Sequence, residues 1–324
     1  MGDKSKIEWT DASWNPTRGC SLVSAGCTNC YAMKVAGGVA KAAYGGLTRR
    51  TGGRTVWTGE VRLVPEMLNQ PLHWRKPRRI FVDSMSDLFH TDVPDEYIRS
   101  VFEVMAHGNW HTYQILTKRP ERMAGFVSAL REEAPDSFDL GMRHIWLGTS
   151  VEDQAAADER IPYLLRTPAA VRFVSCEPLI GPVDLESVPL PGFVAGHYGL
   201  RGVAQPVSEK ETEPDDWKYW SRRDSKVDWV IVGGESGPNA RPCNVGWIRD
   251  IVRQCREANV PCFVKQVGSV PFGSAILDSN DELWDAPLEW SGDGVGTYRP
   301  QLRDRKGGDP AEWPEDLRVQ EYPT

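Results

Sequence analysis

From residue 80 onward the chain repeats one unit, a short apolar run rich in β-branched or aromatic residues next to a stretch of helical periodicity. The runs are Ile80–Val82, Tyr113–Leu116, Ile145–Leu147, Val171–Val174, Trp229–Val232 and Cys262–Val264. Between the first two, Ile98, Val101, Phe102 and Met105 recur at helical spacing, with Asp92 placed to cap that helix and Gly108 to end it. Met123, Phe126, Val127 and Leu130 repeat the scheme after the second run, and Ile248, Ile251, Val252 and Cys255 do so before the last. The first four runs begin 33, 32 and 26 residues apart, close to the ~30 residues of a βα unit. Strands joined this way run parallel, and runs that are apolar at every position suit burial on both faces. The expected fold class is therefore α/β: a parallel (β/α) barrel, partial or complete, with an open doubly wound sheet as the alternative.

Two stretches break this rhythm. Residues 186–228 carry Pro189, Pro191, Pro206 and Pro214 with several glycines and read as an insertion, either a lid or decoration. Residues 278–324 hold 12 acidic and 5 basic residues without periodicity and read as an irregular acidic tail. The expected organisation is a barrel over 1–277 containing the insertion, followed by a C-terminal extension at 278–324 packed on it. Conversely, residues 49–79 hold eight Arg or Lys against Glu60 and Glu66. No apolar stretch approaches the ~18 residues that span a bilayer, and the opening Met1–Trp9 lacks a signal peptide's apolar core. A cytoplasmic setting follows as an expectation.

In a parallel barrel the carboxyl ends of all strands share one face, so polar residues that follow each run converge there. Asp83, Ser84, Ser86 and Asp87 follow the first run, Thr117, Lys118 and Arg119 the second, and Thr149, Ser150 and Glu152 the third. Cys176 and Glu177, then Gly233, Gly234, Glu235 and Ser236, then Lys265 and Gln266 follow the others. Ser84, Asp87 or Ser236 could instead cap helices. The charges of Glu177, Glu235 and Lys265 directly after buried strands are costly unless they pair with one another or meet a ligand, which makes them the candidate acid–base groups. The glycine turn at 233–237 would let backbone amides approach a polar ligand.

Seven cysteines include three close together, Cys20, Cys27 and Cys30, in a C-x6-C-x2-C loop lying after a short first strand expected near Ile7–Thr10. In a reducing compartment clustered thiols hold metal or do redox chemistry more often than they form a disulfide framework. Three thiolates are one short of a closed zinc site but would leave one iron of a cuboidal 4Fe–4S cluster open for chemistry. Gly19 and Gly26, each directly before a cysteine, permit tight turns. A zinc site completed by Cys176, Cys243 or His73, a structural cluster and a Cys27–Cys30 redox pair remain the alternatives.

Together these residues resemble the phage-type three-Cys-motif family, itself similar to radical S-adenosylmethionine (radical SAM) enzymes. The resemblance rests on Ile7–Asp11, Trp14–Pro16, the Cys20/Cys27/Cys30 loop with Tyr31–Ala32, Ser84–Phe89, Leu116–Pro120, Glu177–Leu179, Gly233–Gly237 and Lys265–Gln266, covering 7 to 268. The first cysteine gap is six residues where the usual spacing is three, while the x2 interval is kept. The resemblance implies a barrel in which Cys20, Cys27 and Cys30 hold a 4Fe–4S cluster. It further implies that S-adenosylmethionine is reductively cleaved with an electron from a donor, and that the 5'-deoxyadenosyl radical abstracts hydrogen from a substrate such as a nucleotide or nucleic acid. Ser84, Ser86 and Asp87 would meet the methionyl end, Gly233 to Ser236 the methionyl or adenosyl part, Glu177 the ribose and Lys265 a carboxylate. Lys118, Ser150, Glu152 and Gln266 complete the implied cofactor-binding set. The competing reading is a metal-stapled, Zn or Fe–S, nucleic-acid-binding or structural protein without radical chemistry. In it Arg49 to Arg79, with Trp57 and Trp74, supply phosphate contacts and stacking surfaces. The same segment could equally be a solvated face or pair with the acidic tail, and the net charge of −7 opposes nonspecific nucleic-acid binding.

Overall fold

The computed structural model describes residues 5–135, 138, 141–189, 199–201, 226–276, 288–290 and 295–323. Most of the expected insertion (190–198 and 202–225) and parts of the expected tail (278–287, 291–294 and 324) lie outside these residues. Seven strands make the principal sheet: β1 (Ala12–Trp14), β2 (Arg79–Val82), β3 (Thr112–Thr117), β4 (Ile145–Ser150), β5 (Val171–Cys176), β6 (Trp229–Gly233) and β7 (Cys262–Gln266). Their hydrogen-bonded order is the order of the chain, β1 to β7, and β1–β2, β2–β3, β3–β4 and β6–β7 pair in parallel. A doubly wound sheet needs a point where the order reverses, and none exists here. The order does not close on itself either, so the fold is α/β of the partial (β/α) barrel type. Among the described residues no helix is long and apolar enough to cross a membrane.

The apolar runs become these strands because most of their positions are buried: Trp229 to Gly233 are buried without interruption, as are Phe173 to Cys176. The intervening helices are α1 (Tyr31–Gly37), α2 (Asp95–His107), α3 (Pro120–Glu133), α4 (Gln154–Arg166) and α5 (Val245–Ala258). α2 buries Ile98, Val101, Phe102 and Met105, the stripe its periodicity predicts, and Gly108 ends it by donating its amide to Val104 O. Asp92 does not cap α2. Pro94 occupies that position, and the Asp92 amide instead donates to His90 Nδ1 at 3.2 Å. α5 is capped by Asn244, whose side chain accepts from Gly246 N at 2.9 Å, and stops at Asn259 in the left-handed region.

By contact density the chain divides into two units. The first comprises Met1–Ser150 with Tyr163–Phe173. Its first strand is Ala12–Trp14, later than expected, because Thr10 N turns back onto Ile7 O and bonding to β2 begins only at Asp11, whose amide donates to Arg79 O at 2.9 Å. Trp14 is wholly buried, its Nε1 donating to Met67 O at 2.7 Å. A hairpin, Thr48–Thr51 with Arg54–Trp57, turns through Gly52 and Gly53, both at positive φ (55° and 76°), as a two-residue hairpin turn requires. The second unit comprises Val151–Pro162 with Val174–Thr324. Here Pro271–Ile276 pairs with Val295–Tyr298, and Val295–Tyr298 with Leu288–Trp290. The far edge of β7 is covered by the C-terminal segment: Val264 N donates to Val319 O at 2.8 Å and Glu321 N to Cys262 O at 2.9 Å.

Candidate functional site

In the first unit the cysteine loop is set by Gly19, whose φ of +92° and position leave no room for a side chain, since a Cβ there would lie 2.2 Å from Glu60 O. Gly26 is buried in a short 3-10 turn, Ala25–Cys27, and is not left-handed, so only one of the two expected glycine turns is used that way. Cys30 follows, with its amide donating to Cys27 O at 3.2 Å, and α1 starts at Tyr31. Tyr31 is half-exposed and its hydroxyl donates to the Ser84 carbonyl. Cys20, Cys27 and Cys30 are all partly buried, and Cys20 and Cys30 pack on a cluster that includes Met33, Tyr44, Leu47 and Trp57.

The thiols feel one another. Burial pushes the Cys20 thiol up to about 12, with the Asp87 charge and the other two thiols adding to it and Arg119 opposing. Burial likewise raises Cys30, against the Ala32 and Met33 amides and Lys118, which favour the thiolate. Among the described residues no group of three or more His, Cys, Asp or Glu side chains is already gathered as a metal site. The donor chemistry nevertheless fits an iron–sulfur cluster: three soft ligands on one loop, mutual electrostatic neighbours, with a guanidinium and an ammonium nearby to offset the charge of metal-bound thiolates. Neither Cys176 nor Cys243, both buried in the second unit, forms part of such a group.

Asp87 organises the residues beside Cys20. Its Oδ1 accepts from Thr117 Oγ1 (2.7 Å) and Phe89 N (3.0 Å), and its Oδ2 from Arg119 Nη1 (2.7 Å) and Lys118 N (3.3 Å). Arg119 Nη2 then donates to Ser21 Oγ at 2.7 Å, and Ser21 Oγ lies 2.8 Å from Nε2 of buried His90. His90 is held below its usual pKa by burial and by Arg119, and Nδ1 accepts the Asp92 amide, so the neutral ring donates from Nε2 to Ser21. Ser86 Oγ donates to Gly19 O at 2.6 Å, pinning the backbone just before Cys20, while Ser84 Oγ reaches Asn15 Oδ1 at 3.2 Å. Ser150 is buried at the end of β4. The structure thus brings Ser84, Ser86, Asp87 and Lys118 around the loop and adds Ser21, His90 and Arg119. Arg119 stands beside Lys118 in sequence, but only the fold reveals its partner.

In the second unit Glu177, Lys265, Gln266 and Gly234 come together. Glu177 Oε1 accepts from Lys265 Nζ at 2.7 Å and from Gln266 Nε2 at 3.0 Å, and Gln266 Nε2 also donates to Gly234 O at 2.9 Å. Glu235 is engaged elsewhere: Arg241 clamps both its oxygens, Nη2 to Oε1 at 2.7 Å and Nε to Oε2 at 3.1 Å. Glu152 forms a fully buried ion pair with Arg160 at 2.9 Å. The glycines serve close backbone approach. Gly234 N donates to Gln266 O, Gly233 O accepts from Leu179 N, and a Cβ at Gly234 would lie 2.5 Å from Val267 O. A cavity of ≈ 320 Å³ lined by Pro182, Val183, Asp184, Asp250, Arg253 and Glu257, among others, contains none of the expected site residues.

The basic segment divides. Trp57 is buried in the cluster under the hairpin and offers no stacking surface, whereas Trp74 is partly buried and covered by Arg78, 5.2 Å from its ring centre. Arg49, Arg50 and Arg54 are exposed on the hairpin.

The family model described as "Protein of unknown function (DUF5131)" matches residues 4–290. None of the curated proteins matches the chain. Among solved structures the chain is similar to "Spore photoproduct lyase complexed with dinucleoside spore photoproduct", at 10% identity and a TM-score of 0.38 over 93% of this chain and 71% of that one.

Proposed function

The chain belongs to the DUF5131 family of proteins of unknown function, and we propose that it is a radical SAM-like enzyme in which Cys20, Cys27 and Cys30 hold a 4Fe–4S cluster. The observation that carries this reading is the set of three partly buried, mutually interacting thiols on one loop, with Arg119 and Lys118 placed against their charge. Held by these three thiolates, such a cluster would supply one-electron reduction of S-adenosylmethionine and with it the means to abstract hydrogen from a substrate.

The protein's own residues have separable tasks. Asp87, saturated by four donors, fixes the Arg119 guanidinium toward Cys20 and Ser21. Ser86 holds Gly19 and so positions Cys20. Ser84 is the proposed contact to the methionyl end, beside the carbonyl that anchors Tyr31. In the second unit Glu177 and Lys265 are the proposed acid–base pair, able to share a proton between Oε1 and Nζ across 2.7 Å, with Gln266 orienting the carboxylate. Glu235, clamped by Arg241, is proposed to hold its loop rather than to react.

Anaerobic reconstitution followed by reduction with S-adenosylmethionine tests the reading. The expected result is about four iron and four sulfide per chain, lost in a Cys20→Ala, Cys27→Ala, Cys30→Ala variant, with 5'-deoxyadenosine formed only by the loaded protein. One observation favours a second reading. Cys20 and Cys30 pack on the Met33–Tyr44–Leu47–Trp57 cluster, as thiols that staple the fold through a metal would. Stoichiometric zinc without nucleoside product would select that reading and reject the first.

A further inference from the structure

The hairpin Thr48–Thr51/Arg54–Trp57 carries Arg49, Arg50 and Arg54, all exposed and none paired with a carboxylate among the described residues. By contrast, Arg79, Arg99, Arg122, Arg253 and Arg303 each sit on an Asp or Glu at 3.3 Å or less. In a chain of net charge −7, three arginines without acidic partners on ten residues of hairpin concentrate positive charge against the background.

The register shows how they are presented. Arg49 opposes Val56 and Thr51 opposes Arg54, so Arg49, Thr51, Arg54 and Val56 share one face, with Arg49 and Arg54 as diagonal neighbours roughly 7–8 Å apart. The opposite face ends in buried Trp57, whose amide donates to Met33 Sδ at 3.3 Å. The base of the hairpin is thereby fixed to the packing cluster that also carries Cys20 and Cys30. Its tip stands clear, since a Cβ built on Gly52 or Gly53 would meet nothing within 4 Å. All three cations are arginine, whose planar fork matches two phosphate oxygens at once, where lysine offers a point charge.

We propose that this arginine-tipped hairpin binds the phosphodiester backbone of a nucleic acid. The inference rests on the hairpin and not on the proposed reaction. It assigns a place to the nucleic-acid contact and narrows it from the whole 49–79 segment to residues 49–54. Because the contact is to phosphate, binding is independent of base sequence and falls steeply with salt.

Fluorescence anisotropy of the full-length protein with labelled single-stranded and duplex oligonucleotides of two unrelated sequences, at about 50 and 200 mM salt, tests it. Binding is expected at the lower salt, similar for both sequences. It should weaken at least about tenfold in Arg49→Ala, Arg50→Ala, Arg54→Ala, with the log–log salt slope reduced by about 2 on single strands and about 2.7 on duplex for three lost phosphate contacts. The triple Arg→Lys variant should keep the slope. Unchanged circular dichroism and melting are expected for both variants, because among the described residues the three exposed side chains make no hydrogen bond or ion pair. The proposal is overturned if the wild type binds neither oligonucleotide, if the alanine variant binds as the wild type does, or if polyglutamate or phosphatidylserine vesicles bind as tightly as nucleic acid. No cluster or S-adenosylmethionine is needed, so this outcome is separate from that of reconstitution.

Discussion

At Asp83 the backbone is left-handed (φ 56°), the carboxyl is buried, Oδ1 accepts from the Thr17 amide at 3.1 Å, and Oδ2 has no partner among the described residues. Burial, helped by the Asp87 charge, lifts its pKa to about 8, so the folded protein holds a proton there that the unfolded chain releases near 4. The folded state therefore binds more protons between those values, and this contribution to stability is full below about pH 4 and declines as pH rises toward 8, by at most about 1.4 kcal/mol per unit. Asp83→Asn, which tolerates the left-handed backbone, should flatten that decline. Melting of both proteins from pH 5 to 8.5 checks this, and parallel curves would refute it. Gly19 makes the second prediction at this scale. Gly19→Ala forces a Cβ onto Glu60 O, should cost about 1–3 kcal/mol, and should speed thiol alkylation of the Cys20 loop.

Among the elements, β7 is a sheet edge that, among the described residues, is covered by the C-terminal segment through the pairing of Val319 to Glu321. Deleting residues 315–324 should lower the melting temperature and cause concentration-dependent association, because an uncovered edge offers free N–H and C=O groups; light scattering reads the result. Asn244→Ala at the start of α5 should cost about 1 kcal/mol, measured by urea unfolding. Periodicity in the sequence located β2 to β7 closely, because positions buried on both sides must be apolar. It failed for β1 and for the cap of α2. A strand of three residues carries little pattern, and Pro94 supplied the helix start that Asp92 was expected to give.

On the scale of the whole molecule, several buried charges are compensated in pairs. Glu152 and Arg160 are both almost wholly buried, so Arg160→Met leaves a carboxylate uncompensated and should cost about 3–5 kcal/mol, while Glu152→Gln with Arg160→Met should recover much of it in a double-mutant cycle. The spacing of the apolar runs determined a parallel α/β fold, because side-chain burial and crossover length are local properties of the chain. It also put a polar residue after every strand. What each of those residues does was decided only in three dimensions: Glu177 met Lys265, Glu235 met Arg241, Asp87 met Arg119, and Trp57 turned inward on a hairpin whose three arginines meet no carboxylate among the described residues. A sequence records which groups must be compensated. The partner is set by through-space distance, which falls within hydrogen-bonding reach for residues 32 or 88 positions apart and leaves no mark on the spacing between them.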